Sequence, residues 1–215
     1  MKILILSAHP DDETLGCGAT IKKLSNENNY IKLITFTDGE SSRINNSKKN
    51  RNNLLENICP ILGINDYICG NFPDNKMDSV PLLDICKFIE YNINNFEPDI
   101  IFTHHRNCNN IDHQIVYKAT ITVFRPQNGN NIKILSYYIP SSTDYNPFNN
   151  FNGNVYYNVK NTIEYKIKAL KIYDNEMRKY PHTRSYENIL NLSKVWGSEV
   201  SLEYAEKFEL VREII

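Results

Sequence analysis

The chain has 215 residues, enough to bury a substantial core within one domain spanning 1–215. Its 24 Lys and Arg stand against 25 Asp and Glu, which excludes the strongly basic surface that nucleic acid or an anionic membrane would select. Five cysteines (Cys17, Cys59, Cys69, Cys86, Cys108), odd in number and without a C-x-x-C pair, argue for a reducing compartment rather than a disulfide framework. No apolar run approaches the length of a bilayer span, and the N-terminus opens a strand without a cleavage site, so a cytoplasmic protein with neither signal peptide nor membrane span is expected.

In chain order, residues 2–8 read as a buried strand and 13–28 as a helix. Residues 30–37, rich in β-branched and aromatic side chains, predict a second strand ending at the turn Asp38-Gly39. A polar loop over 40–50 precedes a helix over 51–62, whose end is blurred by Pro60. A short strand over 66–69 and a loop over 70–79 follow. Leu82, Leu83, Ile85, Cys86, Phe88 and Ile89 recur at helical spacing, and Pro98-Asp99 introduces a strand over 100–103. The remainder predicts a helix over 111–124, a strand over 132–139, a loop over 140–154, and helices over 162–179 and 187–195. Strands separated by helix-length segments imply right-handed crossovers. The expected fold is therefore α/β, a Rossmann-like, mostly parallel sheet with helices on both faces.

Such sheets collect ligands beyond the carboxyl ends of their strands. The first strand ends in His9-Pro10-Asp11-Asp12-Glu13 and the fourth in His104-His105, followed by Asp112-His113. Three of the chain's five histidines therefore fall within His104–His113. His9 and Asp12 offer nitrogen and oxygen to a divalent cation, and His113 is the best third ligand. Three ligands leave a fourth tetrahedral position for water, the pattern of a catalytic rather than a structural zinc site. Asp11, between two ligands, stays free to act on that water. A polar turn is the plainer reading of His-Pro-Asp-Asp taken alone.

With these residues in view, the chain resembles the PIG-L/LmbE-like family of zinc-dependent N-deacetylases, which remove acyl groups from amino sugars and their conjugates. The resemblance rests on Ala8-His9-Pro10-Asp11-Asp12-Glu13 with Gly16 and Gly18, and on Asp112-His113. Phe72-Pro73-Asp74, Arg125-Pro126-Gln127, Ser141-Ser142-Thr143 and Glu203-Tyr204-Ala205-Glu206 resemble a subgroup acting on sugars or sugar nucleotides. The resemblance implies metal ligands His9, Asp12 and His113 and the general base Asp11, the four residues already reached. It implies substrate contacts from Arg51, with Arg43 as an alternative, and a small N-acylated amino sugar or sugar nucleotide as partner. A homo-oligomer stays open. Zinc is the expected cofactor, although iron, cobalt or manganese also suit a His/Asp/His set.

Asn110 stands where many relatives carry a histidine, Cys108 where the subgroup tends to have aspartate, and Tyr138 where glutamate is expected. Asn110 can donate a hydrogen bond but no proton. His104 and His182 remain as candidates for acid or oxyanion donor, His104 preferred, while His105 is expected to be exposed. Asp112 is expected to orient His113 or a neighbour. The reaction read from the sequence is N-acyl hydrolysis by a metal-activated water with Asp11 as base. These departures also keep open a non-catalytic metal- or carbohydrate-binding relative. A dinucleotide-binding domain fits poorly: a third glycine would fall at Ile21, and three carboxylates would occupy the pyrophosphate turn.

Overall fold

The apolar run after Lys2 leaves no polar face, so β1 (Lys2–Ser7) takes a position in the sheet where both faces are covered. Alternate side chains then point to opposite layers. Ile3 and Ile5 join one buried cluster, Leu4 and Leu6 another, and all four are fully buried. Burial on that scale stabilises the fold by roughly 1.5–3 kcal/mol per side chain. The computed structural model describes residues 1–43, 51–126, 131–148 and 151–215. Most of the polar loop expected over 40–50, and Gln127, lie outside the described residues.

Around β1 run α1 (Asp12–Asn26), β2 (Tyr30–Thr35), α2 (Leu55–Leu62), β3 (Asp66–Cys69), α3 (Leu82–Asn92), β4 (Ile100–His104), α4 (Ile111–Val123), β5 (Lys133–Tyr137), β6 (Val155–Asn158), α5 (Ile163–Leu170), α6 (Tyr186–Ser198) and β7 (Ala205–Arg212). The seven strands form one sheet in the order β3-β2-β1-β4-β5-β7-β6. Pairs from β3 to β5 are parallel, with Ile3 opposite both Ile31 and Ile100. β7 runs antiparallel to β5 and β6. The α/β reading therefore stands; β6 and the single reversed strand β7 were not expected from the sequence.

Strand order reverses between β1 and β4, and the chain leaves those strands toward opposite layers. α1 packs with the Ile3/Ile5 layer and α4 with the Leu4/Leu6 layer. A crevice opens where the two exits part.

Two details fix the angle at which α1 leaves this crevice. Its backbone breaks at Cys17 (φ −145°, ψ 19°). Glu206 of β7 accepts from the freed N–H groups of Ala19 and Thr20 at 3.3 and 2.6 Å, and Lys166 of α5 donates to Leu15 O at 2.8 Å. Lys166 and Glu206 pair at 2.6 Å, both buried, so the break leaves these backbone groups satisfied. Directly before it, Gly16 lies under the ring of Tyr137: a Cβ there would come within 2.4 Å of Tyr137 Cδ2.

Helix α5 ends at Leu170 rather than continuing to 179 as its periodicity suggests. The following turns carry buried Tyr173 and Glu176 toward the α1 N-terminus, and an unbroken helix would present them at helical spacing instead.

Candidate metal centre and active-site cleft

Asp11 ends the β1 exit at φ +132°, a conformation that a residue with a Cβ rarely adopts and that costs on the order of 1–3 kcal/mol. Its surroundings over-determine it. Glu13 accepts the Asp11 N–H at 3.0 Å, while Thr14 and Tyr173 donate their hydroxyls to the other Glu13 oxygen at 2.6 and 3.1 Å. Burial pushes the Glu13 carboxyl up to about 7 against these donors. The turn places the Asp11 and Asp12 side chains in the crevice.

His9, Asp12 and His113 meet there, all buried. Asp12 Oδ2 lies 3.0 Å from His9 Nδ1 and 3.1 Å from His113 Nε2, and the two nitrogens are 3.2 Å apart. For zinc–ligand bonds of about 2.0–2.1 Å a tetrahedron has edges of about 3.3–3.4 Å, so this triangle is the right size for a divalent cation. Asp12 Oδ1 is buried without a hydrogen-bond partner. The donor set, two imidazoles and a carboxylate, matches a borderline cation such as zinc. His9, Asp12 and His113 thus form a candidate metal site.

Of the two partners left open for Asp112, the structure selects the neighbour. Asp112 backs His9, not His113: its Oδ2 lies 3.2 Å from His9 Nε2, and it also accepts from Asn75 N at 2.7 Å and Met77 N at 3.0 Å. Asp74 Oδ1 approaches the same His9 nitrogen at 3.4 Å. Behind His113 stands Cys108, its Sγ 3.0 Å from Nδ1.

Burial draws both imidazoles down, but Asp12 and the other partners prevail, raising His9 to about 9 and His113 to about 10. Burial lifts Asp12, yet the neighbouring His113, His9 and His104 hold it well below the usual carboxylate range. Asp11 moves the other way: burial and Asp12 raise it, against Arg51 and Arg184.

The cleft beside the triangle encloses about 110 Å³ and is lined by His9, Asp11, Asp12, His113, Asn110 and Arg51, with Arg43, Arg184, Glu176, Asn75 and Gly39. Arg51 is buried, 2.9 Å from Asp11 Oδ2. Arg43 sits at the mouth, 2.8 Å from Glu176. Asn110 caps α4, its Oδ1 accepting from Asp112 N at 2.8 Å and His113 N at 3.4 Å, which turns its amide NH₂ toward Asn75 and the cleft. A larger groove of about 890 Å³ lies at the amino ends of the strands, but its walls carry no histidine or cysteine.

Three expectations require correction. His104 does not line the cleft. It is fully buried, stacked on His113 at 3.9 Å, and its Nε2 accepts Ala8 N–H at 2.9 Å. A ring committed in this way supports His113 and cannot hand a proton to substrate. His182 also stays out of the cleft wall, its Nδ1 accepting Arg184 N–H at 3.0 Å and its ring against Tyr145. His105 is buried rather than exposed, 3.0 Å from Glu209.

Sequence reasoning missed Arg184, which reaches Asp11 Oδ2 at 3.3 Å, and Glu176, which gathers Arg43, Arg51 and Arg184. Arg184 stands two residues after His182, and nothing in the sequence there distinguishes the arginine from the histidine.

The three departures each have a structural use. Asn110 caps a helix, Cys108 backs His113, and Tyr138 packs edge-on to Trp196 and Phe151. None argues for a binding-only relative.

Residues 4–124, more than half of the chain, match the family described as GlcNAc-PI de-N-acetylase (PIG-L). The chain belongs to this family. A relative described as an uncharacterized deacetylase, YaiS of Escherichia coli K12, is 34% identical over 150 residues, covering 65% of this chain and 75% of its own. The 1D-myo-inositol 2-acetamido-2-deoxy-α-D-glucopyranoside deacetylase of Thermobifida fusca is 35% identical over 97 residues, 37% of this chain and 34% of that protein. Among solved structures, the N,N'-diacetylchitobiose deacetylase of Pyrococcus horikoshii superposes with a TM-score of 0.78 at 20% identity, over 98% of this chain and 83% of that one, which shows a shared fold. No helix among the described residues is long and apolar enough to cross a membrane.

Proposed function

We propose that this PIG-L chain is a zinc-dependent N-deacetylase that hydrolyses the N-acetyl group of a small amino-sugar conjugate. The carrying observation is the closed triangle of His9 Nδ1, Asp12 Oδ2 and His113 Nε2 beside the carboxylate of Asp11, which is not one of its three corners. His9, Asp12 and His113 would hold the cation, which when bound supplies a Lewis acid able to polarise an amide carbonyl and acidify water. Asp11 takes the proton from the attacking water. Burial beside Asp12 raises this carboxyl, bringing its basicity closer to neutral pH, and Arg51 and Arg184 keep it oriented.

The amide group of Asn110 donates to the oxygen on which negative charge develops, since the helix cap occupies its carbonyl oxygen. Asp11, now protonated, returns the proton to the departing amine. Arg51 thus acts on the base itself, and Arg43 at the mouth meets the rest of the substrate. The amino-sugar reading draws on the family match and on the substrates named for the Thermobifida and Pyrococcus proteins. A small polar cleft suits an acetyl amide with its sugar hydroxyls.

The test is metal analysis of the purified chain together with amine release from a panel of N-acetylglucosaminides. The expected result is about one zinc per chain and release of free amine and acetate. Stoichiometric metal with no amine from any member of the panel would refute the assignment.

A further inference from the structure

Cys108 is fully buried and lies outside the cleft, yet it touches the metal centre through one contact. Its Sγ sits 3.0 Å from Nδ1 of His113, whereas Nε2 of the same ring faces Asp12 Oδ2 at 3.1 Å and His9 Nδ1 at 3.2 Å. The sulfur is therefore on the far side of the imidazole from the triangle. A neutral imidazole has one N–H and one lone pair, and the partner of one nitrogen decides which atom carries which. The sulfur also accepts from the Thr143 hydroxyl at 3.6 Å, whose oxygen in turn accepts Ile139 N–H at 2.9 Å; with Nε2 turned to the triangle, Nδ1 is the ring nitrogen left to carry the proton.

We infer that Cys108 is a positioning residue whose sulfur accepts the Nδ1–H of His113 and so commits the Nε2 lone pair to the cation. This rests on the metal site proposed above. The two imidazoles of the triangle then have unlike supports. His9 is backed by the carboxylate of Asp112, held in place by two backbone N–H groups, and His113 by a sulfur. Sulfur is the weaker acceptor. The acceptor behind His113 then sets how firmly that nitrogen holds the metal.

The test measures Zn(II) and Co(II) affinity by chelator competition for the wild type, Cys108→Ser and Cys108→Val. Serine keeps an acceptor, whereas valine fills the space without one. The valine variant should bind roughly 10–100-fold more weakly, the range typical of lost outer partners, with the serine variant near wild type. The Co(II) form of the wild type should show no sulfur-to-metal charge-transfer band in the near ultraviolet. Should the valine variant not fold, ¹⁵N spectra of histidine-labelled wild type decide the question: the zinc form should carry its proton on His113 Nδ1. Equal affinities for wild type and valine, a charge-transfer band, or an unprotonated Nδ1 would each overturn the inference while leaving the metal site standing. A wild-type chain that takes up neither ion would overturn the metal site and this inference together.

Discussion

The carboxylate of Asp11 and the guanidinium of Arg51 lie 2.9 Å apart, both buried at the head of the cleft. Arg51 also donates to the carbonyls of Pro10 and Gly39, so its position is set by the turn that it stabilises. Replacing it with methionine would leave Asp11 beside Asp12 with only Arg184 for compensation. Removing one partner of a buried ion pair costs about 3–5 kcal/mol. The Asp11 carboxyl should rise further, because Arg51 is the largest of the influences holding it down. A base with a higher pKa is lost at a higher pH, so the acid limb of kcat/KM should move upward in Arg51→Met. An unshifted limb in a folded variant would remove Arg51 from any role in tuning the base.

Asp11→Asn separates base from ligand. The amide keeps the shape of the side chain, and none of its atoms belongs to the His9/Asp12/His113 triangle. Turnover should fall by about 10²–10⁴, the usual scale of a lost general base, with metal content unchanged. Metal analysis beside initial rates checks this, and loss of metal would make Asp11 a ligand.

The part of the site legible in the sequence is the part carried by linear motifs at strand ends. His9, Asp11 and Asp12 sit on one turn, His113 on the first turn of α4, and parallel-sheet topology alone brings β1 and β4 together. Arg184, Glu176 and Tyr173 were not legible. They arrive from more than 150 residues away in sequence, on turns whose path answers to the site rather than to local propensity. Which acceptor backs which histidine was equally hidden, since it depends on ring rotation: Asp112 neighbours His113 in sequence but meets His9 in space. β6 and β7 escaped notice for a related reason. Four of the eight residues of β7 are charged, and Glu206 and Glu209 are drawn inward by Lys166, His105 and Arg106 instead of facing water.

Metal uptake should depend steeply on pH. In the metal-free chain burial lowers both imidazoles, but Asp12 wins, and His9 and His113 hold protons up to about 9 and about 10. These raised values stabilise the metal-free fold fully below about 6.5, the ordinary value, and that contribution disappears as pH climbs through 9–10. A cation needs the lone pairs that those protons occupy. Affinity for Zn(II) should therefore increase by about one to two orders of magnitude per pH unit between pH 6 and 8, with protons released on binding. Chelator competition at three pH values, and calorimetry in buffers of different ionisation enthalpy, measure both quantities. A flat affinity over that range would contradict the site as described.

The Lys166–Glu206 pair offers a test of how the cleft is held from behind. Lys166 Nζ reaches Leu15 O at 2.8 Å and Glu206 Oε1 at 2.6 Å, closing the break in α1 just beyond the turn that carries Asp12. Lys166→Met keeps the apolar stem but leaves a buried carboxylate and a carbonyl without their cation. The expected cost is about 3–5 kcal/mol, near 6–20 °C in Tm for a chain of this size. Adding Glu206→Gln removes the stranded charge while leaving an acceptor for Thr20 N–H, so the double variant should melt above Lys166→Met alone. Thermal melts of the two single variants and the double variant give the coupling directly. Additive losses would mean that the two side chains do not act on the helix break as a unit.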